Sequence, residues 1–293
     1  MFRVGILGAE NSHAMGFSQI FNGYREDCKA EFDDIRVVAV GGHYPQANRD
    51  VAEKNGIDWI VEKPEELLGK VDAIMVTARD GKYHGEFVRP FIEAGIPAFI
   101  DKPFTSNPQE AVELARLAKR RGVPLIGGSS LKMCPDVIRL SEVVAQQADL
   151  LCSGDVTAPI SLENEYGGFW FYSAHLVEIC LRIFGQNPEW VWASQNERGV
   201  TAVLHYPAFE VTHHFTQGAY QYAASLNMKE QIIHQPIDIT DFTLLECRSF
   251  ARMLRTGEMD FTYEELVRPV FVLDAIEQSI RTGGRVEIPQ FEI

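Results

Sequence analysis

The stretch that decides the fold is "VGILGAENSHAMGF" (residues 4–17). Val4 to Leu7 form an apolar run that reads as a buried strand. Gly8 follows where a tight strand-to-helix turn needs a residue without Cβ. A G-x-G-x-x-G turn lets the backbone approach a pyrophosphate, and it would put two further glycines at positions 10 and 13. Those positions hold Glu10 and His13. The stretch predicts the strand, turn and helix of a doubly wound domain, and leaves open whether the ligand of that turn is kept.

Outward from this turn, strand-like runs alternate with amphipathic helical segments: "IRVVAVGG" with "NRDVAEKNG", "VDAIMVTA" with "HGEFVRPFIEAG", and "PAFID" with "NPQEAVELARLAKRRG". That rhythm implies right-handed βαβ units and a parallel sheet. "NPQE" is a helix start in itself, with Asn107 as N-cap, Pro108 at the first helical position and Glu110 at the third. After residue 126 the pattern changes. "DVIRLSEVVAQQ" and "FYSAHLVEICLRIFG" read as helices. "EWVWASQ", "GVTAVLHY", "FEVTHHFTQG" and "YQYAASL" alternate apolar and polar residues, as strands of an antiparallel sheet with one covered face do. A last helix runs to Gly283–Gly284 and leads into "RVEIP". The expected architecture is α/β: a Rossmann-like, doubly wound domain over 1–126, then an α+β domain over 127–293 on an open, mainly antiparallel sheet.

Composition narrows the function. The chain has 293 residues, 46% hydrophobic and 23% charged, with a net charge of −14. That charge argues against nucleic acid or an anionic membrane surface as partner. The basic "AKRRG" ends a helix, where cations complement the dipole. Five dispersed cysteines without C-x-x-C spacing suit reduced thiols, and no leader or spanning segment is apparent, so a cytoplasmic location is expected.

Four segments, in order, resemble the Gfo/Idh/MocA family of NAD(P)-dependent sugar and polyol oxidoreductases. "IDKPFTSNPQEA" is similar to the family's Glu-Lys-Pro signature, with Asp101 in place of Glu and Lys102 and Pro103 retained. "GGSSLKMCP" resembles the opening of its second domain, with Lys132 where an Arg is common. "GGFWFYSAHLVEICLRIFG" resembles its second-domain helix, and "VLDAIEQSIRTGGRVEI" its closing helix and strand. The resemblance implies a small carbohydrate-like substrate, hydride transfer to NAD(P), and Lys102 and His175 as catalytic residues; separately, the aromatic residues of "EWVWASQ" and "YQYAASL" on an open sheet face predict a homo-oligomer. The resemblance also implies cofactor contacts from Gly8, Asn11, Ser12, His13, His43, Thr77, Arg79, His84 and Lys102.

The residues carry chemistry of their own. Lys102 follows a strand at the sheet edge where open α/β folds bind ligands, and a partly desolvated lysine there can relay a proton. The carboxylate that partners His175 in the family, one turn earlier, falls on Phe171; Tyr172, Glu178, Glu163 and Glu165 are candidates to replace it. The second strand ends "VAVGGHY", with no acid for the adenine ribose. His43 and Arg49 tolerate a phosphate there, which leans to NADP. The same residues also fit a chain that has lost the dinucleotide, so a cofactor-poor binding or regulatory protein, and a non-redox lyase or isomerase, stand as alternatives. His205, His213, His214 and His234 show no metal-ligand spacing, and His213 and His214 in one strand face opposite ways; no metal is expected.

Overall fold

A computed structural model describes all residues from Met1 to Ile293. It divides into two units. The first comprises 1–128, 243–266 and Ile293, and the second 129–242 and 267–292. The chain first crosses from one unit to the other after residue 128. The expected continuous second domain, 127–293, is interrupted by a segment that returns to the first unit.

The first unit holds six parallel strands: β1 (Phe2–Leu7), β2 (Ile35–Gly41), β3 (Trp59–Val61), β4 (Ala73–Val76), β5 (Ala98–Ile100) and β6 (Leu125–Gly127). Their order is β3-β2-β1-β4-β5-β6, so the switch point lies between β1 and β4. Helices α1 (Ser12–Phe21) and α2 (Pro45–Lys54) pack on β2, and α3 (His84–Glu93) on β4 and β5. Helix α4 (Pro108–Arg121) begins as its sequence predicts: Asn107 Oδ1 accepts the Glu110 N–H at 3.0 Å, and Gly122, at φ +64°, closes the other end.

The returning segment is α7 (Phe242–Thr256). Its residues Leu244, Cys247, Phe250, Ala251 and Met253 join the first unit's core. The Phe250 ring lies 5.9 Å from Phe21 and 6.4 Å from Phe99, centroid to centroid. Arg248 and Arg255 pair with Glu31 (2.7 Å) and Asp34 (2.5 Å). Exposed pairs of this kind contribute at most about 1 kcal/mol each, whereas truncating a buried Phe costs about 3–5 kcal/mol, so the apolar stripe holds the helix.

The second unit opens with α5 (Pro135–Gln146) and the central helix α6 (Trp170–Phe184), against a seven-stranded sheet. The strands are β7 (Leu151–Ile160), β8 (Trp190–Asn196), β9 (Gly199–His205), β10 (Glu210–Gln217), β11 (Ala223–Met228), β12 (Ile232–Pro236) and β13 (Val286–Glu287), in the order β12-β11-β7-β10-β9-β8-β13. Every pairing is antiparallel except β7 with β10. Along β10, Val211, His213 and Phe215 are buried and Thr212, His214 and Thr216 face outward, the alternation the sequence predicts. The closing helix is α8 (Tyr263–Thr282). No helix is long and apolar enough to cross a membrane, and no cysteine forms a disulfide.

Candidate active site

In the first unit the phosphate-loop segment is held by its own neighbours. Gly8 has φ +101°, and a Cβ there would lie 2.1 Å from Ala78 N, so the glycine is required by the approach of β1 to the chain after β4. Thr77 Oγ1 donates to Gly8 O at 2.9 Å, lacing the two strand ends together. Glu10 Oε1 accepts the Arg79 N–H at 3.0 Å, which turns its carboxylate toward the β4 end.

Asn11 and His13 converge on the residue that replaces the family's glutamate. Asn11 caps α1, its Oδ1 accepting His13 N–H at 3.1 Å, and its Nδ2 donates to Asp101 Oδ2 at 3.0 Å. His13 Nδ1 lies 2.8 Å from the same oxygen and 3.9 Å from Glu246 Oε2 of α7, while the Lys102 N–H donates to Asp101 Oδ1 at 2.7 Å. His13, Asp101 and Glu246 are all buried. Burial opposes the imidazolium, yet Asp101 and Glu246 outweigh it, with Lys102 opposing, and raise the His13 pKa to about 9. Burial likewise pushes the Asp101 carboxyl up, and His13 with Lys102 overcomes this and holds it below the ordinary carboxylate range. The trio brings one nitrogen and two carboxylates within 4.8 Å of one another, a grouping not foreseen from sequence. Asp101 already receives Asn11, His13 and the Lys102 amide, so a proton on His13 accounts for the arrangement.

Lys102 itself is buried at 5% exposure, and its peptide to Pro103 is cis. His84 lies under this turn with no exposed surface; its Nδ1 is 2.8 Å from Pro103 O and its Nε2 2.8 Å from Ala78 O. The side chains of Thr77 and His84 both reach backbone carbonyls at these strand ends. Ser12 is exposed at the start of α1. His43 is exposed beside Tyr83 (4.5 Å between centroids) and Phe87 (4.9 Å), at a cavity of about 280 Å³ that Glu62, Lys63, Glu65 and Glu86 also line.

The second unit carries a buried polar group of its own. His175 lies on α6, where 12 of 15 residues are buried. Its Nδ1 is 2.6 Å from Ser129 Oγ. Glu178, one turn on, accepts the Ser129 N–H at 2.7 Å and pairs with buried Lys132 at 2.7 Å. Glu178 is therefore spent on the Ser129–Lys132 turn, Glu163 and Glu165 are exposed, and the Tyr172 and His175 rings are 6.4 Å apart. Ser129 is a neighbour of His175 at hydrogen-bond distance that the sequence does not reveal; 46 positions separate the two, and no spacing rule links them. Phe171 packs on Tyr166 and Tyr172. His213 is buried, and burial drives its pKa to about 3, whereas His214 on the opposite face lies 3.9 Å from Asp155.

With this geometry in view, the comparisons are specific. Residues 2–129 match the family model for the GFO/IDH/MocA oxidoreductases, described as an oxidoreductase family with an NAD-binding Rossmann fold. The match covers the first unit's sheet and is to the family that the sequence resembles. A D-xylose 1-dehydrogenase (NADP(+)) from Haloferax volcanii is 24% identical, over 81% of this chain and 87% of that protein. Among solved structures, GenD2 from gentamicin A biosynthesis in complex with NAD has a TM-score of 0.83 at 16% identity, covering 99% of this chain and 97% of that one. The scyllo-inositol dehydrogenase of Lactobacillus casei, with NAD(H) and scyllo-inositol, has a TM-score of 0.84 at 12% identity, covering 98% and 99%. At such identities the structural likeness carries the fold.

Proposed function

We propose that this protein is an NAD(P)-dependent dehydrogenase of a sugar, polyol or sugar-acid hydroxyl, with Lys102 and His175 handling the hydroxyl and its proton. The observation that carries the reading is the Asp101–Lys102–Pro103 turn: a buried lysine at the carboxyl end of β5, fixed through Asp101 to the start of α1. The dinucleotide fits the first unit despite the missing glycines. Glu10 is turned onto the Arg79 amide, and His13 brings a cation to the helix N-terminus, which already favours anions. Gly8, Asn11, Ser12, His13, Arg79 and His43 are the residues offered to it. Bound there, the nicotinamide supplies a hydride acceptor. Lys102 takes the hydroxyl proton, and burial keeps water from competing for it.

Glu62, Glu65 and Glu86 around the His43 cavity oppose a ribose phosphate more than Lys63 favours one, which supports NAD over the NADP suggested by the end of β2 alone. A fluorescence titration with NADH and NADPH tests both points. NADH should bind, and more tightly; no binding of either at millimolar concentration would overturn the dehydrogenase reading. A homo-oligomer belongs to the same proposal. Trp192 and the outward residues of β9 and β10 leave one sheet face uncovered. Sedimentation should show a species larger than the 33.0 kDa chain.

A further inference from the structure

The hydroxyl of Ser129 has one place to put its proton. Ser129 has no exposed surface and caps the short turn at 130–133, its Oγ accepting the Leu131 N–H at 3.2 Å. Its own N–H goes to Glu178 Oε1. The remaining contact of Oγ is His175 Nδ1, at 2.6 Å. If Nδ1 carried a proton and donated it to Oγ, the serine O–H would be left buried with no acceptor, an arrangement buried hydroxyls avoid. The O–H therefore donates to Nδ1. A neutral imidazole that accepts at Nδ1 carries its proton on Nε2. A carboxylate in the same place would do the reverse, since it can only accept. It would hold the proton on Nδ1, leave Nε2 a base and favour the imidazolium.

We propose that Ser129 is a positioning residue that holds neutral His175 as its Nε2–H tautomer, so that His175 meets a substrate oxygen as a hydrogen-bond donor and leaves the proton-accepting role to Lys102. The role given to His175 rests on the dehydrogenase reading; the tautomer does not. Glu178 and Lys132 complete the device. Their buried pair fixes the Ser129 amide, so the hydroxyl faces α6 without a conformational search.

A two-bond ¹H–¹⁵N correlation spectrum of the ¹⁵N-labelled full chain near neutral pH tests this directly, with the His175 signals assigned by their loss in His175→Gln. The expected pattern is an unprotonated Nδ1 and a protonated Nε2, retained in Ser129→Thr and converted to a tautomer mixture in Ser129→Ala. An Nδ1–H tautomer or an imidazolium in the wild type would overturn the proposal, as would an unchanged pattern in Ser129→Ala. Kinetics supply the second arm. Ser129→Ala should lower kcat roughly ten- to a hundred-fold with little change in KM, and Ser129→Asp should move the acid limb of kcat upward in pH. The expected spectrum in a protein that binds no NAD(H) would uphold the tautomer and defeat only the dehydrogenase reading.

Discussion

His13 and His175 are both buried, and each has Nδ1 within hydrogen-bond distance of an oxygen, but the two oxygens are chemically opposite. His13 meets the carboxylate of Asp101, with Glu246 behind it, and holds a proton to about pH 9. His175 meets the hydroxyl of Ser129. The first unit has placed compensating charges where a phosphate loop ordinarily has glycines, and the second has put a neutral donor where a carboxylate would serve. One side chain is fitted to two tasks by the partner at a single ring nitrogen: a fixed cation in one unit, an oriented neutral ring in the other.

The largest effect should come at the end of the charged region. Lys102→Met is expected to lower turnover about 10²- to 10⁴-fold with NAD(H) affinity nearly kept, as loss of a general base does; a variant retaining a tenth of the wild-type rate would remove Lys102 from the chemistry. Next in size is the contrast between the histidines themselves. His13→Ala leaves two buried carboxylates without their cation and should cost about 3–5 kcal/mol in urea unfolding. His175→Ala should cost nearer 1–2 kcal/mol, the penalty of a stranded hydroxyl. Equal losses would break the comparison.

The pH dependence sharpens it further. The His13 pKa is raised from 6.5 to about 9 on folding, so its stabilisation is complete below about pH 6.5 and is lost as pH rises through 9. Over that interval the unfolding free energy should fall by roughly 3 kcal/mol, and His13→Gln should flatten the decline. Asp101, held low, adds stability that is present above about pH 3.8 and lost below it. The smallest expected change is at the loop. Glu10→Gln keeps an oxygen for the Arg79 amide and removes the charge, so NADH should bind about two- to ten-fold more tightly in a calorimetric titration, the scale of one partly screened charge. No gain would mean that turning the carboxylate onto Arg79 already cancels its effect.

Much of this molecule can be read from local pattern. The β/α alternation, the Asn107–Pro108 helix start and the opposed faces of His213 and His214 are set by residues within one turn or one strand, and the structure has them as expected. Strand β7, "LCSGDVTAPI", is not legible in the sequence because its glycine, serine and proline hide a strand that is defined by pairing with β10 and β11. Helix α7 was missed among strands because its apolar face has its partners in Phe21 and Phe99, far upstream. The candidate site divides in the same way. Lys102 and His175 stand in recognisable segments, whereas Glu246 and Ser129 matter only through neighbours that the fold delivers, and no periodicity marks them.

The return of α7 to the first unit also bears on the order in which a ribosome releases this chain. A nascent segment ending at residue 128 has all six parallel strands but lacks Phe250 over Phe21 and Phe99, and lacks Glu246 beside His13. At typical synthesis rates the missing helix follows on the order of ten seconds later. For that interval the half-built sheet presents an uncovered aromatic patch to chaperones, and its histidine lacks one of the two carboxylates that hold its proton. The first unit is thus first to begin emerging, yet it stays incomplete until residues 243–266 follow most of the second unit.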